Sequence, residues 1–424
     1  MKIVYALLGY KPAWNLGGPI HTAAAVAERL VARGHEVTVI ASNSNLTEDL
    51  DCPTDRPIYV AGVEVWYFRR QEPIRRLLPF IPYLSKSVGF LYCPRLKRAL
   101  EDIIPAADVV DVQAPFVYTT LATGRAALRH RKPLFYHQHG SLLRTHLRFR
   151  RWKKEAYIRL FERPLMEGAT SLIALTEAER DAFREWVDTR CVIVPNGVDV
   201  PGALDRAAAG EDVRARFGIS PRATVVLFLG RLHPWKGADR LIDAFLGVRP
   251  KHPEAVLVVA GPDEWGLEAS LRNRLAGGDE GRTVVFPGVV AGRTKAALLA
   301  RADLFCLPSM GEGFSVAVLE AMAHGTPVML SPECGFPSVD QVGAGVTVGR
   351  DVASIADGLD RLLGDPEGLR RMGIAARREV VEHYSWDRIT EQLIEVYQDG
   401  IDRVRGGPAR GPSGGSPDAE GRRS

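Results

Sequence analysis

Residues 224–246, TVVLFLGRLHPWKGADRLIDAFL, contain the unit from which the fold is built. The segment Thr224 to Leu229 is mostly apolar and rich in valine, as expected of a strand that is covered on both faces. A loop from Gly230 to Gly237 follows, and the spacing of apolar residues from Ala238 to Leu246 indicates a helix. A strand that leads through a short loop into a helix is the repeating unit of parallel sheets. The sequence therefore predicts an α/β fold.

Similar apolar runs occur in two series, which predict two parallel sheets. The first series comprises Ile3 to Leu8, Glu36 to Ala41, Val63 to Phe68, Val109 to Gln113, Pro133 to His139, Ser171 to Thr176 and Cys191 to Pro195. The second comprises Thr224 to Leu229, Ala255 to Ala260, Thr283 to Phe286, Leu304 to Leu307 and Pro327 to Ser331.

The polar, alanine-rich stretch 199–220 lies between the two series and indicates a domain boundary near residue 200. We therefore expect an amino-terminal domain over 1–200 and a carboxyl-terminal domain over 201–383. The helical segment 384–405 is expected to pack back on the first domain. The last segment, 406–424, is almost free of apolar residues and is predicted to be disordered.

Composition narrows the class of protein. A length of 424 residues exceeds what one core usually organises, and the net charge of +4 is too small to indicate a nucleic-acid partner. The five cysteines are scattered, which favours a reducing cytoplasm over a disulfide framework. No apolar run reaches the roughly 18 to 20 residues that span a bilayer, so we expect any membrane contact to be peripheral.

The loop from Pro308 to Ser315 is the most informative connection in the second domain. Gly311 and Gly313 allow its backbone to approach a ligand closely, and Ser315 is a plausible N-cap of the helix that follows. Gly325 is placed to end that helix. Free N–H groups and the positive end of the helix dipole predict an anion site here.

Charged residues in and near two such loops suggest what the anion is. Arg231 and Lys236 lie five residues apart in a strand-to-helix loop, where they can grip a diphosphate. Glu312 and Glu320 approach the same pocket from a loop and from a helix, and carboxylates are suitable acceptors for hydroxyl groups. Taken singly, the two glutamates are more often solvated side chains, whereas for Arg231 and Lys236 exposed charges in a turn are the less favoured interpretation.

Together, these segments resemble the retaining glycosyltransferases of family 4, which have the GT-B fold of two Rossmann-like domains facing across a cleft. The matching segments are EGFSVAVLEAMAHGTPV at 312–328, Gly230-Arg231 with Lys236-Gly237, PNGVD at 195–199, and Gly17-Gly18-Pro19. The resemblance extends from about residue 1 to residue 395.

The resemblance implies a role for each matching residue. Glu320 would bind the nucleotide ribose and Glu312 the donor sugar, while Arg231 and Lys236 would hold the diphosphate. His139 would face the reacting sugar. The donor cradle would be completed by glycines of the first domain and by backbone amides of the second: Gly17, Gly18, Gly313, Phe314, Ser315 and Val316.

The resemblance also implies that the enzyme needs no metal and no cofactor, since the nucleotide sugar is the substrate. His137 and His139 have no third ligand at suitable spacing, so a zinc site is not expected. The sequence Asp49-Leu50-Asp51 lies far from the other motifs and is interpreted as a solvated loop. One departure from the family pattern is Ser338, because relatives usually carry a carboxylate there.

The segment 141–163 is strongly basic, with a local excess of about six positive charges. In a helix, Phe149, Trp152, Ala156 and Leu160 would share one face, although Ile158 breaks the pattern. Two interpretations remain open: a core helix with a solvated basic side, or a helix that binds an anionic membrane surface and brings the protein to a lipid-linked acceptor.

The sequence thus predicts a cytoplasmic enzyme that moves a sugar from a nucleoside-diphosphate sugar to an acceptor hydroxyl with retention, in polysaccharide or glycolipid assembly. Two alternatives belong to other classes. A retaining glycosidase would use Glu312 and Glu320 as its carboxylate pair but would leave Arg231 and Lys236 without a role. A catalytically silent module would bind the sugar nucleotide without turning it over.

Overall fold

A computed structural model of the protein describes residues 1–45, 48–70, 92–147, 151–202, 213–263, 265–275, 283–336 and 339–406. The predicted disordered tail beyond residue 406, most of the predicted linker, Phe149 and Ser338 lie outside these residues. The structural statements below refer to the described ranges.

The first half of the chain forms an eight-stranded sheet in the order β10-β9-β8-β7-β1-β2-β6-β5. All neighbouring strands are parallel except the edge pair β5 and β6, which is antiparallel. The strands of this half, with the short hairpin β3-β4, are β1 (Lys2–Ala6), β2 (Glu36–Ser42), β3 (Ser44–Asn45), β4 (Glu48–Asp49), β5 (Pro57–Val60), β6 (Val63–Phe68), β7 (Val109–Gln113), β8 (Leu134–His137), β9 (Ser171–Ala174) and β10 (Cys191–Ile193).

The second half forms a six-stranded sheet in the order β13-β12-β11-β14-β15-β16, with every neighbouring pair parallel. Its strands are β11 (Thr224–Leu229), β12 (Ala255–Ala260), β13 (Val284–Gly288), β14 (Leu304–Leu307), β15 (Val328–Leu330) and β16 (Gly345–Thr347). The predicted α/β class with two sheets is therefore confirmed.

The helices connect successive strands and cover the sheets. They are α1 (Gly18–Ala32), α2 (Leu96–Ala106), α3 (Tyr118–Arg129), α4 (Arg144–Leu147), α5 (Arg151–Tyr157), α6 (Arg163–Gly168), α7 (Glu177–Arg184), α8 (Val213–Arg216), α9 (Ala238–Val248), α10 (Leu267–Leu275), α11 (Gly292–Arg301), α12 (Val316–Ala323), α13 (Val352–Leu363), α14 (Pro366–Glu379) and α15 (Trp386–Val404). A π-helical turn, Ile158–Glu162, joins α5 to α6, and another, Val380–Tyr384, precedes α15. None of the described helices is both long and apolar enough to cross a bilayer.

One predicted strand is shorter than expected. The run Pro133 to His139 was expected to be extended throughout, but β8 ends at His137. His139 has a φ of 47° and Gly140 a φ of 75°, so the chain turns through the left-handed region immediately after the strand. His139 therefore lies in a turn at the carboxyl edge of the sheet and not on the strand itself.

The last helix, α15, follows the second sheet in sequence but packs against the first. Its buried residues recur at three- and four-residue spacing and join the core that contains β1 and α1. These residues are Trp386, Ile389, Leu393, Tyr397 and Ile401.

The chain crosses between the two halves at two adjacent points. Val198 forms an isolated parallel bridge with Ser385, so the outgoing and returning segments lie side by side. Asn196 accepts a 3.1 Å hydrogen bond from Thr22 of α1, and Arg29 pairs with Asp199 at 2.6 Å. The predicted junction segment 195–199 is thus fastened to the first helix of the chain.

The structure of the basic segment 141–163 does not match the core-helix interpretation. Trp152 and Leu160, which were expected on a buried face, are 71% and 67% exposed. Ile158, the residue that broke the pattern, is fully buried instead. The reason is that the helix buries its other side, where Glu162 and Ile158 enter the core through the π-helical turn.

Candidate active site

Two loops of the second sheet form one continuous surface. The amide of Met310 donates a 2.7 Å hydrogen bond to the carbonyl of Trp235, which ties the loop after β14 to the loop after β11. Gly237 has a φ of 78°, and a Cβ there would collide with the carbonyl oxygen of Pro308. A glycine is therefore needed at this position for the two loops to meet.

The loop after β14 leads into α12 as predicted. Ser315 is the N-cap residue, but its side chain makes no capping hydrogen bond, so the first amides of α12 are not satisfied by it. The helix ends at Ala323, and Gly325 has a φ of 82° just beyond it. Phe314 packs on Phe336 with ring centroids 4.6 Å apart, which anchors the loop to the core of the second half.

The predicted cation and carboxylate of these loops form an ion pair. Lys236 donates to Glu312, and their side chains are only 20% and 11% exposed. Arg231 lies at the start of the same loop and is exposed to solvent. Lys236 is therefore held at the loop that leads into α12, where the helix dipole also favours an anion.

A second ion pair involves a residue that sequence reasoning missed. Lys295 of α11 donates to Glu320 of α12 at 2.7 Å. Sequence reasoning could have found Lys295 from its position near the start of the helix that follows β13. Lys236 was found from the same kind of position, in a loop between a strand and a helix. Lys295 brings a third cation to this half of the site.

Helix α1 of the first half faces this surface. Gly17, with a φ of 95°, is its N-cap and Gly18 its first residue, with Pro19 in the first turn. Desolvation lowers the pKa of His21, and the positive charge of Lys295 lowers it further, while the charge of Glu320 opposes this change. His21, in the first turns of α1, is therefore within electrostatic reach of the Lys295–Glu320 pair.

The second contact between the halves joins two glycines. A Cβ at Gly140 would lie 3.6 Å from the Cα of Gly313, so the turn that contains His139 lies directly against the loop after β14. A Cβ at Gly313 would also lie 3.6 Å from a carboxylate oxygen of Glu179. Both glycines thus permit a close approach of backbone to backbone at the center of the site.

His139 is half-buried beside this contact. Its Nε2 lies 2.5 Å from Oε1 of Gln113, and its ring stacks on that of His137 with centroids 5.4 Å apart. Burial, and then the neighbouring His137, lower the pKa of His139 to about 3. The ring is therefore neutral at physiological pH.

Glu179 is a further buried group that the sequence did not indicate. Burial raises its pKa to about 7, although the amides of Leu175 and Gly140 oppose this change. One carboxylate oxygen accepts a 2.9 Å hydrogen bond from the amide of Leu175, and the other is buried near Gly313. The side chain lies under the turn of His139 and Gly140.

The two candidate metal motifs are engaged in other interactions. His137 Nε2 lies 3.0 Å from Asp111, and Asp49 pairs with Arg70. Among the residues that the structure describes, no group of three histidine, cysteine or acidic side chains is placed to hold a metal ion.

Two parallel α/β halves that meet at the carboxyl ends of their strands, with paired cations and carboxylates at the meeting point, define a GT-B protein. The Anabaena protein HepE, solved in complex with UDP and glucose, has this fold and superposes with a TM-score of 0.66. The two sequences are 20% identical, and the match covers 94% of this chain and 99% of HepE.

The chain belongs to glycosyltransferase family 4. The family model described as Glycosyltransferase Family 4 matches residues 16–200, and the model described as Glycosyl transferases group 1 matches residues 210–379. The resemblance inferred from the motifs is therefore confirmed.

Two curated relatives match over part of their length. The D-inositol 3-phosphate glycosyltransferase of Salinispora arenicola is 34% identical over 256 residues, which is 57% of this chain and 57% of that protein. The phosphatidyl-myo-inositol mannosyltransferase of Mycobacterium leprae is 34% identical over 241 residues, which is 56% of this chain and 61% of that protein. The matching region thus spans a little over half of each relative.

Proposed function

We propose that the protein is a retaining glycosyltransferase that transfers a sugar from a nucleoside-diphosphate sugar to an acceptor hydroxyl. The observation that carries this proposal is the pair of lysine–glutamate contacts at α12, Lys236 with Glu312 and Lys295 with Glu320. On one surface, the two lysines offer positive charge to a diphosphate and the two glutamates offer acceptors to sugar hydroxyls. The family membership of the chain and the UDP and glucose of the HepE complex support the same donor class.

The donor would lie along the amino-terminal end of α12. Arg231, Lys236 and the amides from Gly313 to Val316 would bind the diphosphate, with Gly17 and Gly18 closing over it. Glu320 would accept hydrogen bonds from the ribose. Lys295, now paired with Glu320, would fix that carboxylate in place and add positive charge near the phosphates.

The leaving diphosphate gains negative charge as its bond to the sugar breaks. Cations and helix amides that are already in place stabilise this transition state more than the ground state. We therefore assign to Arg231 and Lys236 the role that a metal ion plays in other transferases, and we propose that no metal or cofactor is needed. The resemblance to family 4 supports a front-face displacement in which the leaving phosphate accepts the proton of the acceptor hydroxyl.

His139 and Glu312 would contact the transferred sugar. The neutral ring of His139 suits this position, because a positive imidazolium there would oppose the positive charge that develops on the sugar. No carboxylate is assigned as a covalent nucleophile.

Nucleotide release tests the proposal and separates it from its alternatives. The protein is mixed with UDP-, GDP- and ADP-sugars, with and without sugar and lipid-linked acceptors. We expect one donor class to release nucleoside diphosphate in an acceptor-dependent way. Sugar release from a glycoside without any nucleotide would support a glycosidase instead, and donor binding without turnover would support a silent binding module.

The proposed acceptor is attached to a lipid, in glycolipid or polysaccharide assembly at the cytoplasmic face of a membrane. Trp152 and Leu160 are exposed on the basic segment 141–163, and the ammonium group of Lys153 lies 5.2 Å from the Trp152 ring. Arg144 and Arg151 are also exposed, with 83% and 75% of their side-chain surface accessible. Exposed aromatic and aliphatic side chains among cations are typical of a helix that binds an anionic interface.

The name of the Mycobacterium leprae relative refers to a phosphatidyl lipid, whereas that of the Salinispora arenicola relative refers to a soluble inositol phosphate. The exposed segment makes us favour the lipid.

Sedimentation with liposomes tests this choice. We expect the protein to sediment with anionic vesicles at low salt, and to be released at high salt because screening weakens each cation's contribution of at most ~1 kcal/mol. Trp152→Ser with Leu160→Ser should reduce sedimentation. The control is Ile374→Ser, which removes a side chain that is 73% exposed on the other half of the protein. Recovery of the wild type in the supernatant under every condition would favour a soluble acceptor.

A further inference from the structure

A buried hydrogen-bond network lies behind His139. Asp111 of β7 is fully buried, and its carboxylate contacts three polar side chains. Gln113 Nε2 lies 2.7 Å from Oδ1, while His137 Nε2 and the hydroxyl of Tyr397 lie 3.0 Å and 2.5 Å from Oδ2. The network includes residues of β7, β8 and the last helix, α15.

The register of the sheet explains how these groups meet. Asp111 and Gln113 are two residues apart on β7 and point to the same face. Gln113 is paired with His137 on β8, and Asp111 is paired with Tyr5 on β1. Helix α15 packs on this face, so Tyr397 reaches Asp111 from a segment that follows the donor half.

The orientation of the Gln113 amide sets the direction of these hydrogen bonds. Its nitrogen donates to Oδ1 of Asp111, and its carbonyl oxygen, which can only accept, faces Nε2 of His139. The ring nitrogen Nε2 of His139 must then donate. Because the neutral ring carries a single proton, Nδ1 is left with a lone pair and can only accept.

Tyr397 supports the carboxylate from the opposite side. Burial, and then the charge of Asp111, hold the pKa of the Tyr397 hydroxyl far above its ordinary value, so the hydroxyl remains a donor. Its oxygen can accept in turn from the hydroxyl of Tyr5 at 3.0 Å. Burying so many polar groups in a sheet costs stability unless each is paired, and an apolar set would fill the same space at lower cost. The presence of this buried polar network therefore indicates that it has a role beyond packing.

We propose that Gln113 is a positioning residue, held by Asp111 and Tyr397, that fixes His139 in its Nε2–H tautomer so that Nδ1 accepts a hydrogen bond from a hydroxyl of the transferred sugar. The last step rests on the proposed function, whereas the tautomer does not. His137, stacked on His139, is the titratable neighbour on the same strand-to-turn segment, and Glu179 is the buried acid beneath the turn.

The tautomer can be measured directly by long-range ¹H–¹⁵N NMR on protein labelled at histidine nitrogens, with His139→Gln used to assign the signals. We expect wild-type His139 to be a single Nε2–H tautomer that does not titrate between pH 5 and 8. Gln113→Met removes both amide contacts with little change of shape. We expect this variant to lose the single tautomer and to lower kcat about tenfold, with the KM for the donor nearly unchanged.

Tyr397→Phe provides a second variant if Gln113→Met fails to fold. It should lower kcat about threefold, because Asp111 loses one of its three contacts. The matched control is Tyr136→Phe, which removes an equally buried hydroxyl that lies 2.8 Å from the buried carboxylate of Glu162, away from His139. The control should leave both kcat and the His139 tautomer as in the wild type.

A wild-type His139 protonated at Nδ1, or a Gln113→Met variant with an unchanged tautomer, would overturn the proposal. An equal loss of kcat in Tyr397→Phe and Tyr136→Phe would do the same. If no nucleotide sugar were turned over, the proposed function would fail, but the NMR result would still decide whether Gln113 sets the tautomer.

Discussion

Replacing Lys236 by methionine tests the donor site at its best-defined contact. Lys236 is paired with Glu312, and both side chains are largely shielded from water. A charge-assisted contact of this kind contributes roughly 1.5 to 3 kcal/mol, which corresponds to about a 10- to 150-fold change in rate. In Lys236→Met the unpaired charge of Glu312 would also repel the phosphates. We therefore expect kcat to fall about 100-fold.

The variant should stay folded. The pair is largely shielded, so its loss should lower the free energy of unfolding by about 1 to 3 kcal/mol, which for a chain of 424 residues corresponds to a fall of a few degrees in melting temperature. The assay is nucleoside-diphosphate release at saturating donor, with melting followed on the same samples. Lys251→Met is the matched control, because Lys251 pairs with Asp360 at 2.5 Å in the same half of the protein. A folded Lys236→Met variant with kcat within threefold of the wild type would refute the diphosphate assignment.

Four other variants test three separate parts of the account. Glu320→Gln should weaken the binding of free nucleoside diphosphate about tenfold, as measured by calorimetric titration. Glu312→Gln should slow transfer with little change in that affinity. If instead Glu312→Gln weakened binding and Glu320→Gln did not, the two roles would be exchanged. Glu179 binds its proton more tightly in the folded state, with a pKa of about 7, so its contribution to stability is present below pH 4.5 and is lost as the pH rises through 7. Glu179→Gln should therefore raise the free energy of unfolding at pH 8 by up to roughly 3 kcal/mol and leave it unchanged at pH 4. Urea titrations at the two pH values measure this difference. An equal effect at both pH values would contradict the prediction. At the junction between the two halves, a Cβ at Gly197 would lie 2.5 Å from the Trp386 ring. Gly197→Ala should therefore lower the free energy of unfolding by about 1 to 3 kcal/mol in the same assay. An unchanged free energy of unfolding would show that the junction can relax.

The sheets could be predicted from sequence because their strands are buried on both faces. Such strands are continuous apolar runs, and all twelve predicted runs correspond to strands of the structure. The antiparallel edge strand β5 was missed, since Pro57–Val60 alternates between more and less exposed positions and has no apolar run. The short strand β16, with only three residues, gives too little pattern to recognise.

The candidate site could be predicted only where its residues lie in local motifs. Arg231, Lys236 and Glu312 lie in loops that connect a strand to the next helix, so their positions are set by short-range geometry. Lys295 and His21 come together with Glu320 only through tertiary contacts between separate helices. The spacing of residues in a sequence does not encode such contacts.

The basic segment shows why amphipathic patterns can mislead. The apolar residues at helical spacing, Trp152 and Leu160, were equally suited to a core and to a surface. Ile158 lies on the other side of the helix from Trp152, and with Glu162 it enters the core. The apolar face that the spacing selects is exposed instead.

The most direct test of the central claim is a crystal structure of the protein with a bound nucleoside diphosphate. We predict that the diphosphate oxygens lie within hydrogen-bonding distance of Arg231, Lys236 and the first amides of α12, and that the ribose hydroxyls contact Glu320. A nucleotide bound elsewhere, with the Lys236–Glu312 and Lys295–Glu320 pairs facing only solvent, would contradict the account.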